Sequence, residues 1–227
     1  MRLLRCSFYA GLIMALGWSA SSIAAQSVKP AQPGHQNHAV AGGGILPAGW
    51  SARPDAEGSL KNIKFVVMEP GYHLTLGPAT ILYRESDRAD GPFHTQATFH
   101  QMKNLEHAEG YGLFFGGQSL NAPDQKYIYF LVRQDGKFLV KRREGEKTSE
   151  ITQGWIAHPA IKTANAQGQS TNQLEIDAKK NPSKIDFKVN GKTVYSADSK
   201  TLGRKGMVGL RVNHNLDLHV EGFEVHR

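Results

Sequence analysis

The stretch Tyr127 to Arg143, YIYFLVRQDGKFLVKRR, decides the fold. Ile128, Phe130 and Val132 alternate with Tyr127, Tyr129, Leu131 and Arg133. Gln134, Asp135 and Gly136 turn the chain, and Phe138 and Val140 resume the alternation. Successive side chains of a strand point to opposite faces, so this spacing puts aliphatic and phenyl groups on one side. An Asp-Gly step between two such runs signals a hairpin, because glycine accepts the positive φ of a tight turn. The expectation is antiparallel β-structure with one wet face, and that face carries phenol and guanidinium groups.

The same pattern recurs on both sides of the hairpin. Upstream, Ile63–Met68, Tyr72–Leu76, Thr80–Arg84, Phe93–Met102 and Tyr111–Gly116 read as strands. Trp50–Leu60 reads as an entry loop, and Ser86–Pro92 as a polar loop ending in Asp90-Gly91-Pro92. Downstream, Asn172–Asp177, Lys184–Val189, Thr193–Ser196, Met207–Asn213 and Leu218–His226 read as strands, with a type I′ turn at Asn190-Gly191. Glu144–Gly168 is mixed. No amphipathic helix longer than about ten residues is legible. About eleven to twelve short strands with regular turn residues predict an all-β antiparallel sandwich, a jelly roll.

The N-terminal residues do not belong to that fold. Arg2 and Arg5 form a short positive region, and Phe8–Trp18 is an apolar run too short to span a bilayer. Ser19–Ala25 supplies small residues, and Ile23-Ala24-Ala25 reads as a cleavage site with Gln26 as the new terminus. The expectation is a signal peptide over 1–25, a flexible linker over 26–47 and one sandwich domain over 48–227, with export to the periplasm or beyond. The only cysteine, Cys6, lies in the leader, so the mature chain holds together by its core without disulfides. The formal charge of +7 falls to +5 without Arg2 and Arg5. That surplus suits anionic glycans or lipid head groups as well as simple solubility, and no Lys/Arg block reads as a nucleic-acid footprint.

Several stretches resemble the concanavalin A-like lectin/glucanase superfamily, and most of all its bacterial exported branch of laminin-G-like and 3-keto-disaccharide hydrolase-like domains. They are Tyr111-Gly112-Leu113-Phe114-Phe115-Gly116-Gly117, Tyr127-Ile128-Tyr129-Phe130, the Asp186–Val194 segment around Asn190-Gly191, Gly206–Val212, and Val220–Val225. The resemblance spans about residues 48 to 227 and implies two antiparallel sheets with glycan ligands common. It also implies calcium at a loop rim in many such sandwiches, for which Asp87, Asp90 and Asp124 lie in suitable loops.

No catalytic constellation survives inspection. Glycosidases need two carboxylates across the scissile bond. Glu175-Ile176-Asp177 resembles the start of a laminarinase-like motif, but Ala178-Lys179-Lys180 follows where a second Glu should stand. Glu175 and Asp177 therefore read as solvent-facing strand residues. His94 and His100 are six residues apart, roughly 20 Å along an extended strand, and cannot share a metal. There is no Gly-x-Ser-x-Gly and no thiol in the mature chain.

What remains is the wet face. Parity points Tyr127, Tyr129 and Arg133 away from the core, and likewise Arg211 and Asn213, and His94, Gln96 and Thr98. Sugars bind flat aromatic surfaces and planar bidentate donors, which Arg supplies and Lys does not. His94, Tyr129, Arg133 and Arg211 are the expected ligand contacts, with Trp50 and Trp155 as loop anchors or stacking platforms. The leading expectation is carbohydrate binding without turnover. A glycoside hydrolase, as the resemblance implies, and an adhesion module with a protein partner are the alternatives.

Overall fold

The computed structural model describes residues 37–55 and 58–227, so the expected leader lies outside the described residues. In chain order the strands are β1 (Trp50–Pro54), β2 (Ile63–Met68), β3 (Gly71–Leu76), β4 (Thr80–Asp90) and β5 (His94–Gln101). Then come β6 (Gly110–Gln118), β7 (Lys126–Arg133), β8 (Lys137–Glu144), β9 (Lys147–Glu150) and β10 (Ile156–Ala157). The last five are β11 (Ser170–Asp177), β12 (Lys184–Val189), β13 (Lys192–Asp198), β14 (Lys205–Val212) and β15 (Asp217–His226). A single helical turn, α1 (Ser199–Leu202), precedes β14 and is capped by Asp198, whose carboxylate accepts from the N–H groups of Lys200 and Thr201.

The strands form two sheets. One runs β1-β4-β14-β6-β7-β8-β10 with β9 also on β8, and the other runs β13-β12-β11-β5-β15-β3-β2. Among the described residues the strands pair antiparallel, and the order interleaves distant strands as a jelly roll requires. For brevity we call them the hairpin sheet, which contains β7 and β8, and the histidine sheet, which contains β5 and β15.

The hairpin forms as its sequence dictates. Arg133 pairs with Lys137 across Gln134-Asp135-Gly136, and Gly136 sits at φ 78° with its N–H on the Arg133 carbonyl. Asn190 and Gly191, at φ 50° and 75°, make the second tight turn between β12 and β13. Between the sheets lies the main core, where Phe130, Val132, Phe138 and Val140 meet Leu174, Ile176, Phe187 and Val189. Phe130 and Phe187 pack edge to face with centroids 5.3 Å apart.

The outward face of the hairpin sheet is not wet. Ile81, Tyr83, Phe114, Tyr127, Tyr129, Leu131 and Met207 form a second buried cluster there. The 119–125 loop folds over it: Leu120 enters the cluster, Arg53 donates to the Leu120 and Ala122 carbonyls, and the Tyr83 hydroxyl donates to Asn121. Trp155 covers the other side. Alternation along one hairpin reports which residues share a face; it does not report that a loop elsewhere will bury both.

Three further expectations are corrected. Trp50–Pro54 is a strand, β1, rather than part of an entry loop, because its backbone pairs with Thr80–Arg84 of β4. Residues 86–90 continue β4 rather than looping, with Arg88–Asp90 paired to Lys205–Met207. The mixed region holds two short strands, β9 and β10, so the described residues contain fifteen strands, not eleven or twelve. Ahead of β1, the His38 N–H donates to Asn215 and the Gly44 N–H to the Ile63 carbonyl. Among the described residues no helix is long and apolar enough to cross a membrane.

Candidate functional site

Arg211 lies on β14 with its guanidinium 5.4 Å from the Tyr129 ring centroid. Its Nη1 and Nη2 donate to the two oxygens of Asp55 at 2.8 and 2.7 Å, a bidentate pair. Nη1 also donates to the Tyr127 hydroxyl at 3.3 Å, and Arg143 adds a second guanidinium to Asp55 at 2.9 Å. Burial raises the Asp55 carboxyl, but Arg211 and then Arg143 and Arg53 outweigh it and hold the pKa below the ordinary range. Arg211 is 4% exposed and stays charged: burial opposes that, but the bidentate Asp55 carboxylate outweighs it. Burial pushes the Tyr129 phenol up, so at neutral pH it is a neutral ring under a cation.

The four expected contacts are not in one hollow. Tyr129 and Arg211 do touch, but Tyr129 is only 6% exposed and forms part of the floor beneath the surface. Arg133 lies at the far end of β7, stacked 4.4 Å from the Trp155 ring and committed through Nε and Nη2 to Asp135 at 2.7 and 2.8 Å. His94 is on β5 in the histidine sheet. A sandwich has two outward faces, and parity alone does not say which one a residue points from.

His94 Nε2 lies 3.3 Å from Glu175 Oε2, and its ring stacks on His226 at 5.9 Å. In the same sheet His73 is in register with His219, and His219 with His100. Nε2 of His100 and of His219 lie 3.5 and 3.2 Å from one Glu221 oxygen. Asp177 accepts from Lys188 Nζ at 2.9 Å and from two backbone N–H groups. Glu175 and Asp177 are thus tied to His94 and Lys188 on this outward face. Trp50 is in the main core against Phe65 and Tyr72. Asp87 is tied to Arg84 at 2.6 Å, and among the described residues no group of three His, Cys, Asp or Glu is arranged to hold a metal.

A groove of about 710 Å³ opens where the ends of β6, β7 and β8 meet the α1 segment. It adjoins the buried cluster through Tyr127, which belongs to both, and Arg143 links it to Asp55. Pro92, Ile128, Pro182 and Leu202 give it apolar walls. Gln118, Arg142, Glu144 and Ser199 give it hydrogen-bonding groups. Arg142 is steadied by one Nη2 bond to the Thr201 carbonyl at 2.9 Å. This mixture of apolar surface and planar polar donors, in a volume of several hundred Å³, suits a small polar ligand. Sequence reading misses the groove because it is assembled from residues 91–92, β6–β8, Pro182 and 199–205. The one local signal is the pair of basic runs at 141–143 and 204–205.

No family model matches the chain, and no curated protein matches it by sequence. Solved structures do. The carbohydrate binding module CBM66 from Bacillus subtilis superposes with a TM-score of 0.56 at 13% identity, covering 81% of this chain and 99% of that one. The shared architecture is a sandwich of two antiparallel β-sheets. A Bacillus subtilis protein of unknown function with a galectin-like fold gives 0.55 at 14%, covering 78% and 88%. The Emp47p carbohydrate recognition domain gives 0.54 at 9%, covering 80% and 89%. At these identities the likeness speaks for the architecture alone, an antiparallel jelly-roll sandwich, and the side chains of any site must be argued on their own.

Proposed function

We propose that the chain is an exported carbohydrate-binding protein that holds a glycan in the groove at the ends of β6, β7 and β8 without turning it over. The single observation that carries this reading is the groove itself: apolar walls, the planar Arg142 fork and the amide of Gln118 surround a cavity the size of a saccharide site. Two of the similar solved structures are described as a carbohydrate binding module and a carbohydrate recognition domain, which adds support at the level of class. The leader expected over 1–25 supports export. The Tyr129–Arg211–Asp55 cluster then acts as the rigid floor that positions Tyr127 and Arg143 at the groove edge, instead of as a contact surface.

A glycan array on the full chain tests this, with Arg142→Ala in the groove and Arg133→Ala outside it. Binding abolished by the first change and kept by the second is the expected result. Binding lost only with Arg133→Ala would move the site to the Trp155 end of the sheet. Release of reducing sugar, abolished by Glu144→Gln, would favour a glycoside hydrolase, since Glu144 is the carboxylate that lines the groove.

A further inference from the structure

The groove is lined by six cationic side chains, Lys126, Arg142, Arg143, Lys200, Arg204 and Lys205, against the single carboxylate of Glu144. Three of the six are already engaged. Arg143 faces Asp55, Arg204 donates to the Asn181 and Pro182 carbonyls at 2.6 Å, and Arg142 holds Thr201. Carbonyl bonds fix the guanidinium groups in place but leave their charge uncancelled. Lys126, Lys200 and Lys205 are exposed and make no ion pair among the described residues. They come from different elements: Lys126 opens β7, Lys200 lies in α1, and Lys205 opens β14.

Like charges gathered at the mouth of a cavity repel one another, and low-dielectric walls focus their field into it. Carboxylates elsewhere on this chain sit beside cations: Asp55, Asp87, Asp135 and Asp177 all do. The groove departs from that pattern, and its charge has no counterpart within the described fold.

We propose that the ligand of this groove is an anionic saccharide, one whose carboxylate or sulfate groups meet Lys126, Lys200 and Lys205 while its ring lies between the apolar walls. This rests on the groove being the glycan site and names the class of glycan it takes. A saccharide is favoured over a structureless polyanion because the walls at Pro92, Pro182 and Leu202 offer apolar surface, and the exposed Gln118 amide offers neutral hydrogen bonds to hydroxyls. A simple counter-ion surface needs neither. Lysine ammonium groups on flexible stems suit charged groups at variable spacing, whereas Arg142 supplies a fixed fork.

The test is calorimetric titration of the full chain with matched probes: an oligogalacturonate and its neutral methyl ester, a sulfated dextran oligosaccharide and its unsulfated parent, and polyglutamate as an anion without sugar. The expected result is that at least one charged saccharide binds about tenfold or more tighter than its neutral match. That margin is expected to shrink several-fold between about 0.05 and about 0.3 M salt. It is also expected to vanish in the K126Q/K200Q/K205Q variant, whose unfolding midpoint stays at the wild-type value because all three side chains are exposed. The galacturonate and dextran arms separate carboxylate from sulfate. Equal binding of charged and neutral partners would overturn the inference and leave the glycan reading standing. Polyglutamate binding as tightly as the charged sugars would make the groove a general anion surface, and would also overturn it. A margin that persists in the triple variant would place the anion elsewhere. Failure of every saccharide, charged or neutral, would remove the glycan reading beneath it.

Discussion

Asp55 stands between the Arg211 and Arg143 guanidinium groups, and only the first of them is fully buried. Removing the carboxylate strands a buried cation, which costs more than the pair itself is worth. Asp55→Asn is therefore expected to destabilise the fold by about 2–3 kcal/mol, at or below the lower edge of what breaking a buried pair costs, because Asp55 keeps some solvent contact. Urea unfolding reads this directly, and a loss of less than about 0.5 kcal/mol would show that the pair is not structural. Asp177 gives a pH prediction. Burial raises its carboxyl, but Lys188 and the Lys180 and Lys179 N–H groups outweigh it and bring the pKa from 3.8 to about 2. The folded pKa is the lower one, so the stabilisation is complete above about pH 4 and is lost as pH falls towards about 2. It amounts to about 2 kcal/mol, and Asp177→Asn is expected to flatten that part of the stability–pH curve. A curve unchanged by the substitution would contradict this. Of these two residues the sequence gives Asp177 its strand and its face, since parity is local, but the carboxylate expected to meet solvent is buried at 8% exposure beside Lys188. The sequence gives no sign that Asp55, 156 residues from Arg211 along the chain, is its partner.

At the scale of elements, legibility follows length and turn chemistry. The bounds expected for Ile63–Met68 and Lys184–Val189 coincide with β2 and β12, and the hairpin is recovered to within a residue at each end. β1, β9 and β10 are edge or near-edge strands of two to five residues, too short for a period to emerge, and all of β9 is exposed. Gly209 of β14 marks a close approach to its neighbours β4 and β6. Both of its strand pairings shift register beside it, and a methyl group there would press on the Leu82 carbonyl and the Phe114 ring. Gly209→Ala is expected to cost about 2 kcal/mol or more, because backbone has to move. Gly191→Ala meets open space and is expected to cost only about 1 kcal/mol, through its positive φ. Equal costs by thermal or urea unfolding would mean that the β14 approach is looser than described.

For the whole molecule, the two sheets present different surfaces. One outward face is sealed by the 119–125 loop and Trp155 over an aromatic layer, and the other carries histidines interleaved with Glu175, Glu221 and Asp177. Residue alternation foretells a two-sheeted fold and which residues leave the core. It is silent on which of the two faces they join, and that is why His94 and Tyr129 were expected together and are apart. The groove lies at the end of the sandwich, where strand ends from four parts of the chain meet, and no single stretch of sequence encodes it. Mapping backbone amide shifts on titration with a saccharide that binds is the most direct measurement of where the ligand sits. The account predicts that shifts concentrate at 116–118, 126–128, 142–144 and 199–205. Shifts concentrated on the histidine face, around His94, His100 and His219, with those four segments unmoved, would contradict it.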